Sequence, residues 1–281
     1  MPNQSPPIRL FKYVRPDICV RILQERRILF SPPSAFNDPF ECLPSASLVD
    51  DPAWQERLLE RFVSDQMAEE HLAAAKEKRS VKINESTIRR KWPAFYAKLL
   101  PGIKSTALQT MDSHRQQYRI CCLSAVGPDQ EGSLLLWGHY AQDHRGAVIE
   151  FDPQHAWFKN FPRDASGFVD YNKERCRWIL DTDNPYGYVP GNQLLYRKSP
   201  HWGYEKEYRL VLHKSSPLLD SSTCDSLGEV PATAILSITI GIHANAKTMK
   251  EIGDACLTPE LRHVRTELAR LHPDEFKVVT G

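Results

Sequence analysis

Apolar positions along the chain recur at two different spacings. Leu10, Phe11, Tyr13 and Val14 read as a short strand, and Ile18, Ile22 and Leu23 then follow at helical spacing behind Asp17, the predicted cap. Ile28, Leu29 and Phe30 form a second strand that ends at Ser31. Residues 32–40 carry three prolines and the Asn37–Asp38 pair, a composition that forbids regular helix and predicts a compact, fixed turn.

From residue 53 to 117 the texture changes to long polar helices, read as a helical insertion in a single domain of residues 1–281. Leu59, Phe62 and Val63 mark one apolar stripe there. Ile88, Trp92, Phe95, Tyr96 and Leu99 mark a second, in which Pro93 predicts a kink or a later start. After the helices, strands are predicted over residues 118–124, 147–151, 167–171, 208–213 and 235–242. Helices are predicted over 133–142, capped by Ser133, and over 246–256, and residues 261–279 read as a partly ordered tail. The pattern predicts an α+β fold with a mainly antiparallel sheet, surrounding helices and the helical insertion.

Composition narrows the function classes. The 281 residues have 36 basic and 35 acidic side chains, so neither a polybasic nor a polyacidic protein is at hand. Hydrophobic residues at 41% supply a core. Seven cysteines, with no C-x-x-C pair, point to a reduced compartment. Residues 1–9 lack the apolar run of a leader, so a soluble cytoplasmic protein without a membrane partner is expected. None of the 13 glycines falls into a dinucleotide-binding or P-loop pattern. His139 and His144 stand five apart, on different faces of a helix, so no metal is expected.

Three clusters carry candidate chemistry. In residues 30–40, Ser31, Asn37 and Asp38 either brace a rigid corner or line a pocket at a strand end. In residues 136–146, Trp137 and Tyr140 share one helix face. They are core aromatics, or they stack on a nicotinamide or base while His144 or Arg145 contacts a phosphate. In residues 202–210, strand alternation sends Glu205 and Glu207 to one side. They form an exposed rim with Glu207 pairing to Arg209, or Glu207 stabilises positive charge on a ribosyl carbon while Glu205 orients or deprotonates the attacking group.

Residues 76–104 hold nine basic and two acidic side chains. Arg89, Arg90, Lys91 and Trp92 could hold nucleic acid by phosphate contacts and base stacking, or they form a solvated helix face with its aromatics packed inward.

Lys12–Tyr13, F-S-x-P-x-x-F-N-D-P-F over residues 30–40, W-x-x-Y-x-x-x-H-x-G over 137–146 and Y-E-x-E-x-R over 204–209 resemble a bacterial family known as a domain of unknown function. Their order also resembles the ADP-ribosyltransferase fold, in which an early, a middle and a late strand converge on NAD. That resemblance implies Lys12 or Tyr13 in the early position, where diphtheria-like and cholera-like branches carry His or Arg. It implies Ser31 in the middle position, Glu207 as the catalytic glutamate and Glu205 as its E-x-E companion. Arg9 and Arg15 flank the first strand rather than sitting inside it.

The leading expectation is therefore an ADP-ribosyltransferase-like enzyme of bacterial defence or toxin type, with NAD as substrate and a protein or nucleic-acid acceptor. The alternatives are a nucleic-acid-binding or processing module built on the basic helices, and a nucleotide sensor without chemistry.

Overall fold

The computed structural model describes residues 9–45, 52–162, 164–178, 193–220 and 226–281. Cys224 and residues 1–8 of the leader reading over 1–9 lie outside them. In chain order the elements are β1 (Leu10–Val14), α1 (Pro16–Glu25), β2 (Arg27–Leu29), α2 (Pro52–Glu77), α3 (Glu85–Arg115), β3 (Tyr118–Ser124), α4 (Ser133–Tyr140) and β4 (Ala147–Phe151). There follow α5 (Ala156–Lys159), β5 (Ser166–Phe168), β6 (Asp170–Tyr171), α6 (Gln193–Tyr196), β7 (Arg197–Lys198), β8 (Glu207–His213), β9 (Leu219–Asp220) and β10 (Leu227–Glu229). The last are β11 (Ile235–Ile240), α7 (Ala246–Cys256), β12 (Arg265–Leu271) and β13 (Val278–Thr280). Short 3-10 turns occupy Pro33–Ala35, Pro200–Glu205 and Ala232–Ala234.

The described residues divide into two compact units, one drawn from 1–41, 116–173 and 196–281, the other from 42–115 and 174–195. The first is built on an eight-stranded sheet in the order β13-β12-β11-β4-β1-β3-β8-β5, with a three-stranded sheet β2-β10-β9 beside it. Within the large sheet only the β11–β12 pairing is parallel, so the fold is α+β with a mostly antiparallel sheet.

Alternation along the strands separates two faces. Leu10 and Val14 join Ile149, Phe151, Leu210, Ile238 and the buried sides of α1 and α7 in the main core. Phe11, Tyr13 and Val148 face the other way, onto Leu136 and Trp137 of α4. The turn from α4 into β4 holds Gln142, Asp143 and His144 at positive φ. It is possible because Gly146 and Gly241 have no side chain. A Cβ on Gly146 would lie 2.0 Å from the Val14 carbonyl oxygen, and one on Gly241 2.1 Å from that of His144.

The second unit packs α2 against α3 around Trp54, Trp92, Tyr96, Met111 and Trp178. Pro93 does not delay α3, which starts at Glu85 and contains Pro101 as well. Both prolines sit on the exposed side, where water can take up the carbonyls they leave unbonded.

Several local expectations are corrected. Residues 261–279 are not a tail, for they contain β12 and the start of β13. The burial of β12 is mostly exposed, so no period-2 signal marks it. Asp17 does not cap α1: Arg15 stands at the N-cap position without a side-chain cap hydrogen bond, Pro16 opens the helix, and Asp17 is ion-paired to Arg15 at 2.7 Å. Gly132, at φ 88°, precedes α4 in place of a Ser133 cap. The strand expected over 167–171 is two strands, β5 on the large sheet and β6 paired with β7.

Candidate active site

β3 is the ruler for the site. Its end at Ser124 pairs with Phe11 of β1, while nearer its start Ile120 exchanges backbone hydrogen bonds of 2.9 Å with Ser31. Between these two contacts β1 and the β2 segment diverge, and Lys12 reaches across to donate its ammonium to the Cys122 carbonyl at 2.9 Å. A cavity of about 290 Å³ lies at this split, lined by β1, α1, β2, by Ser31, Phe36 and Asn37 of the loop that follows, and by β3 from Ile120 to Ser124. Tyr140 from α4, and Lys198, Glu205 and Glu207, complete its wall.

Its polar part is a buried charge cluster. Glu205 ends the 3-10 turn, Lys206 adopts a left-handed φ of 41°, and Glu207 opens β8 opposite Ser124. The two glutamates are therefore not on one strand, and neither forms an exposed rim: they are 4% and 3% exposed. Lys198 donates to Glu205 Oε2 at 2.7 Å and to Glu207 Oε2 at 3.0 Å. Arg209, fully buried, grips Glu207 with Nε at 2.8 Å and Nη2 at 3.2 Å, and its Nη1 meets Glu41 at 2.8 Å. Tyr140 donates its hydroxyl to Glu205 Oε1, and Tyr171 accepts the Glu207 backbone N–H at 2.9 Å.

The two carboxylates are driven apart electrostatically. For Glu207, burial opposes ionisation, but Arg209 and Lys198 overcome it and hold the carboxyl far below the usual range. For Glu205, burial dominates over Lys198 and Tyr140 and raises the carboxyl above that range. Burial also disfavours the Lys198 charge, but Glu207, Glu205 and Glu41 outweigh it and keep the ammonium protonated. Burial lifts the phenols of Tyr13 and Tyr140 and the Cys122 thiol, all of which stay protonated at neutral pH.

Of the residues expected at the site, Lys12, Tyr13, Ser31, Asn37, Tyr140, Glu205 and Glu207 line the one cavity. Tyr13 donates its hydroxyl to the Val126 carbonyl at 3.1 Å. Trp137 does not line the cavity. It is wholly buried, packs edge-on to Tyr13 at 5.5 Å, and donates its indole N–H to the Pro128 carbonyl, so its ring faces are unavailable to a ligand. His144 stacks on the Trp137 ring at 5.8 Å, and Arg145 is exposed and paired with Asp143; both lie outside the cavity lining. Asp38 is buried and accepts the Phe40 N–H at 2.8 Å, a turn-bracing role.

Lys198 and Tyr171 had no local signal, and Glu41, although it directly follows the cluster at residues 30–40, carries nothing in its neighbours that marks it as buried and ion-paired. Arg209 was visible as the last residue of Y-E-x-E-x-R, but not its burial.

The basic helices are less available than their composition suggested. Arg89 is paired with Glu60 at 2.6 Å and Glu85 at 2.7 Å, and Arg79 with Glu70 at 2.7 Å. Trp92, expected to stack on a base, is buried beside Phe62 and Tyr96. Arg90 and Lys91 are exposed. Among the described residues, no helix is long and apolar enough to cross a membrane, and no cluster of three His, Cys, Asp or Glu side chains could hold a metal ion.

A family model described as a protein of unknown function, DUF2971, matches residues 136–210, a span that runs from α4 through Lys198, Glu205, Glu207 and Arg209. No curated protein and no solved structure matches the chain.

Proposed function

We propose that the chain is an NAD-dependent ADP-ribosyltransferase-like enzyme working in the cavity at the β1–β3 split. One observation carries this reading: a single cavity wall joins an ionised glutamate and a second, more basic glutamate to the early-strand and middle-strand residues Lys12, Tyr13 and Ser31. The volume of about 290 Å³ is at the lower end of ligand pockets, which run from roughly 300 to 1,000 Å³, and suits the nicotinamide–ribosyl end of a dinucleotide rather than the whole molecule.

In the reaction, the bond between nicotinamide nitrogen and ribosyl carbon breaks, and its electron pair leaves with nicotinamide. Positive charge develops on the sugar carbon. Glu207 stays ionised beside it in a water-poor wall, where a fixed negative charge favours the transition state over the ground state. The acceptor then bonds to that carbon and loses its proton to Glu205, whose raised carboxyl makes it the better base of the pair. Arg209 and Tyr140 are positioning residues that fix the two carboxylates.

The test is nicotinamide release from NAD by the purified protein, with and without protein or nucleic-acid acceptors. Glu207→Gln is expected to lower kcat at least about 100-fold. Tyr140→Phe, which keeps the Lys198 contact to Glu205, lowers it less and shifts the acid limb of the pH profile. Absence of nicotinamide release under every acceptor condition, or a Glu207→Gln protein that is folded and fully active, overturns the proposal. NAD binding without release assigns the cavity to a sensor instead.

A further inference from the structure

The cavity wall is charged at more than the glutamate cluster. Arg21 and Glu25 of α1 and Arg27 of β2 also line it, together with Ile18, Ile22, Leu29 and Leu227. On α1, residues 18, 22 and 25 share one face at helical spacing, and 21 adjoins it. On the β2 segment, residues 27, 29 and 31 lie on one side by alternation, so Arg27 stands four residues, roughly 13 Å, from Ser31. The wall thus offers carboxylates with Lys198, an apolar stretch, and a pair of guanidinium groups.

Both guanidiniums are accessible from water. The Arg21 side chain is 51% exposed and meets Glu25 at 3.4 Å, while Arg27 is 43% exposed and is paired with Asp220. A pair as open on both sides as Arg21–Glu25 contributes little and exchanges readily for another anion. Arginine presents a planar fork of N–H donors that matches phosphate oxygens two at a time.

Building on the reading above, we propose that Arg21 and Arg27 form a phosphate subsite on the cavity rim, holding the diphosphate of a dinucleotide whose ribosyl end reaches Glu205 and Glu207. Phosphate displaces Glu25 and Asp220 from the guanidiniums, and Leu29 and Leu227 pack against the sugar between the two ends. A ligand with a developing cation at one end and an anion further along complements both halves of this wall. A neutral nucleoside complements only one.

ADP and adenosine are the probes, because neither needs the glycosidic chemistry. By calorimetry on the full chain at low salt, ADP is expected to bind more tightly than adenosine. Arg21→Gln and Arg27→Gln should each weaken ADP about tenfold and leave adenosine unchanged. Glu25→Gln, which removes the competing carboxylate, should tighten ADP. Raising salt weakens ADP alone. Because both arginines are exposed, the variants should keep the wild-type melting temperature, so a binding change is not an unfolding artefact. ADP that binds no better than adenosine, or that is indifferent to the double variant, overturns the subsite.

The two proposals fail separately. Nicotinamide release that depends on Glu207 while ADP ignores the arginines leaves the enzyme reading and removes the subsite. ADP binding that follows the arginines with no nicotinamide release does the reverse.

Discussion

Arg209 and Arg89 each face more than one carboxylate, but in surroundings that give the same chemistry opposite meanings. Around Arg209 the partners Glu41 and Glu207 are sealed from water, and the guanidinium is itself fully buried. Around Arg89 the partners Glu60 and Glu85 are more than half exposed. Solvent screens the helix pairs and can replace them, whereas no solvent replaces a lost partner in the buried cluster. A count of charges along the chain points to the helices as the place where electrostatics matter. Burial reverses that ranking.

The comparison can be broken at either end. Its largest expected effect is Arg209→Met, which removes the guanidinium that Glu207 and Glu41 share and leaves the two buried carboxylates with Lys198 as their remaining cation. It should cost about 3–5 kcal/mol in urea unfolding, a large share of a domain's net stability. A loss under about 1 kcal/mol would mean that water reaches the cluster. Tyr140→Phe removes a hydrogen bond to a charged acceptor and should cost about 1.5–3 kcal/mol.

The pH dependence sharpens the contrast within the cluster itself. Glu207 has a carboxyl lowered on folding, so its contribution is complete above the unfolded value near ~4.3 and is lost as the pH falls toward the folded one. Glu205 has a raised carboxyl, so its contribution is full below the unfolded value and is lost as the pH rises through the folded one. In urea titrations across the acid range, the stability deficit of Glu207→Gln should shrink toward low pH, and that of Glu205→Gln should shrink toward neutral pH. Parallel curves for the two variants would contradict the assignment.

The smallest effect is expected on the helices. Arg89→Ala should leave the melting temperature within error of wild type. Neutralising Arg90 and Lys91 should not abolish a salt-sensitive RNA affinity if these side chains are only a solvated face. Loss of such an affinity would restore the nucleic-acid role that the burial of Trp92 argues against.

Much of the local structure was legible in the residues. β3, β4 and α7 occupy the spans read for them: α7 buries one helical face, and β4 is a short apolar run buried on both sides of the sheet. The loop over residues 30–40 is the compact turn its prolines require, and Lys12, Tyr13, Ser31, Tyr140, Glu205 and Glu207 do line one cavity. β12 was not legible, because its pairing with β11 depends on backbone groups rather than an apolar face. The stacking role expected of Trp137 fails because i, i+3 spacing says which residues share a face, not whether that face meets a ligand or the core.

By itself, then, the sequence determined the elements, their order and the motifs that carry reactive side chains, because hydrophobic period and turn chemistry act over a few residues. Only the tertiary structure decided which charges are dry. It brought Lys198, Arg209 and Glu41 around Glu207, opened the sheet between Phe11 and Ser31, and buried Trp137 and Trp92. Desolvation depends on what packs over a side chain from distant parts of the chain, and no local pattern records it.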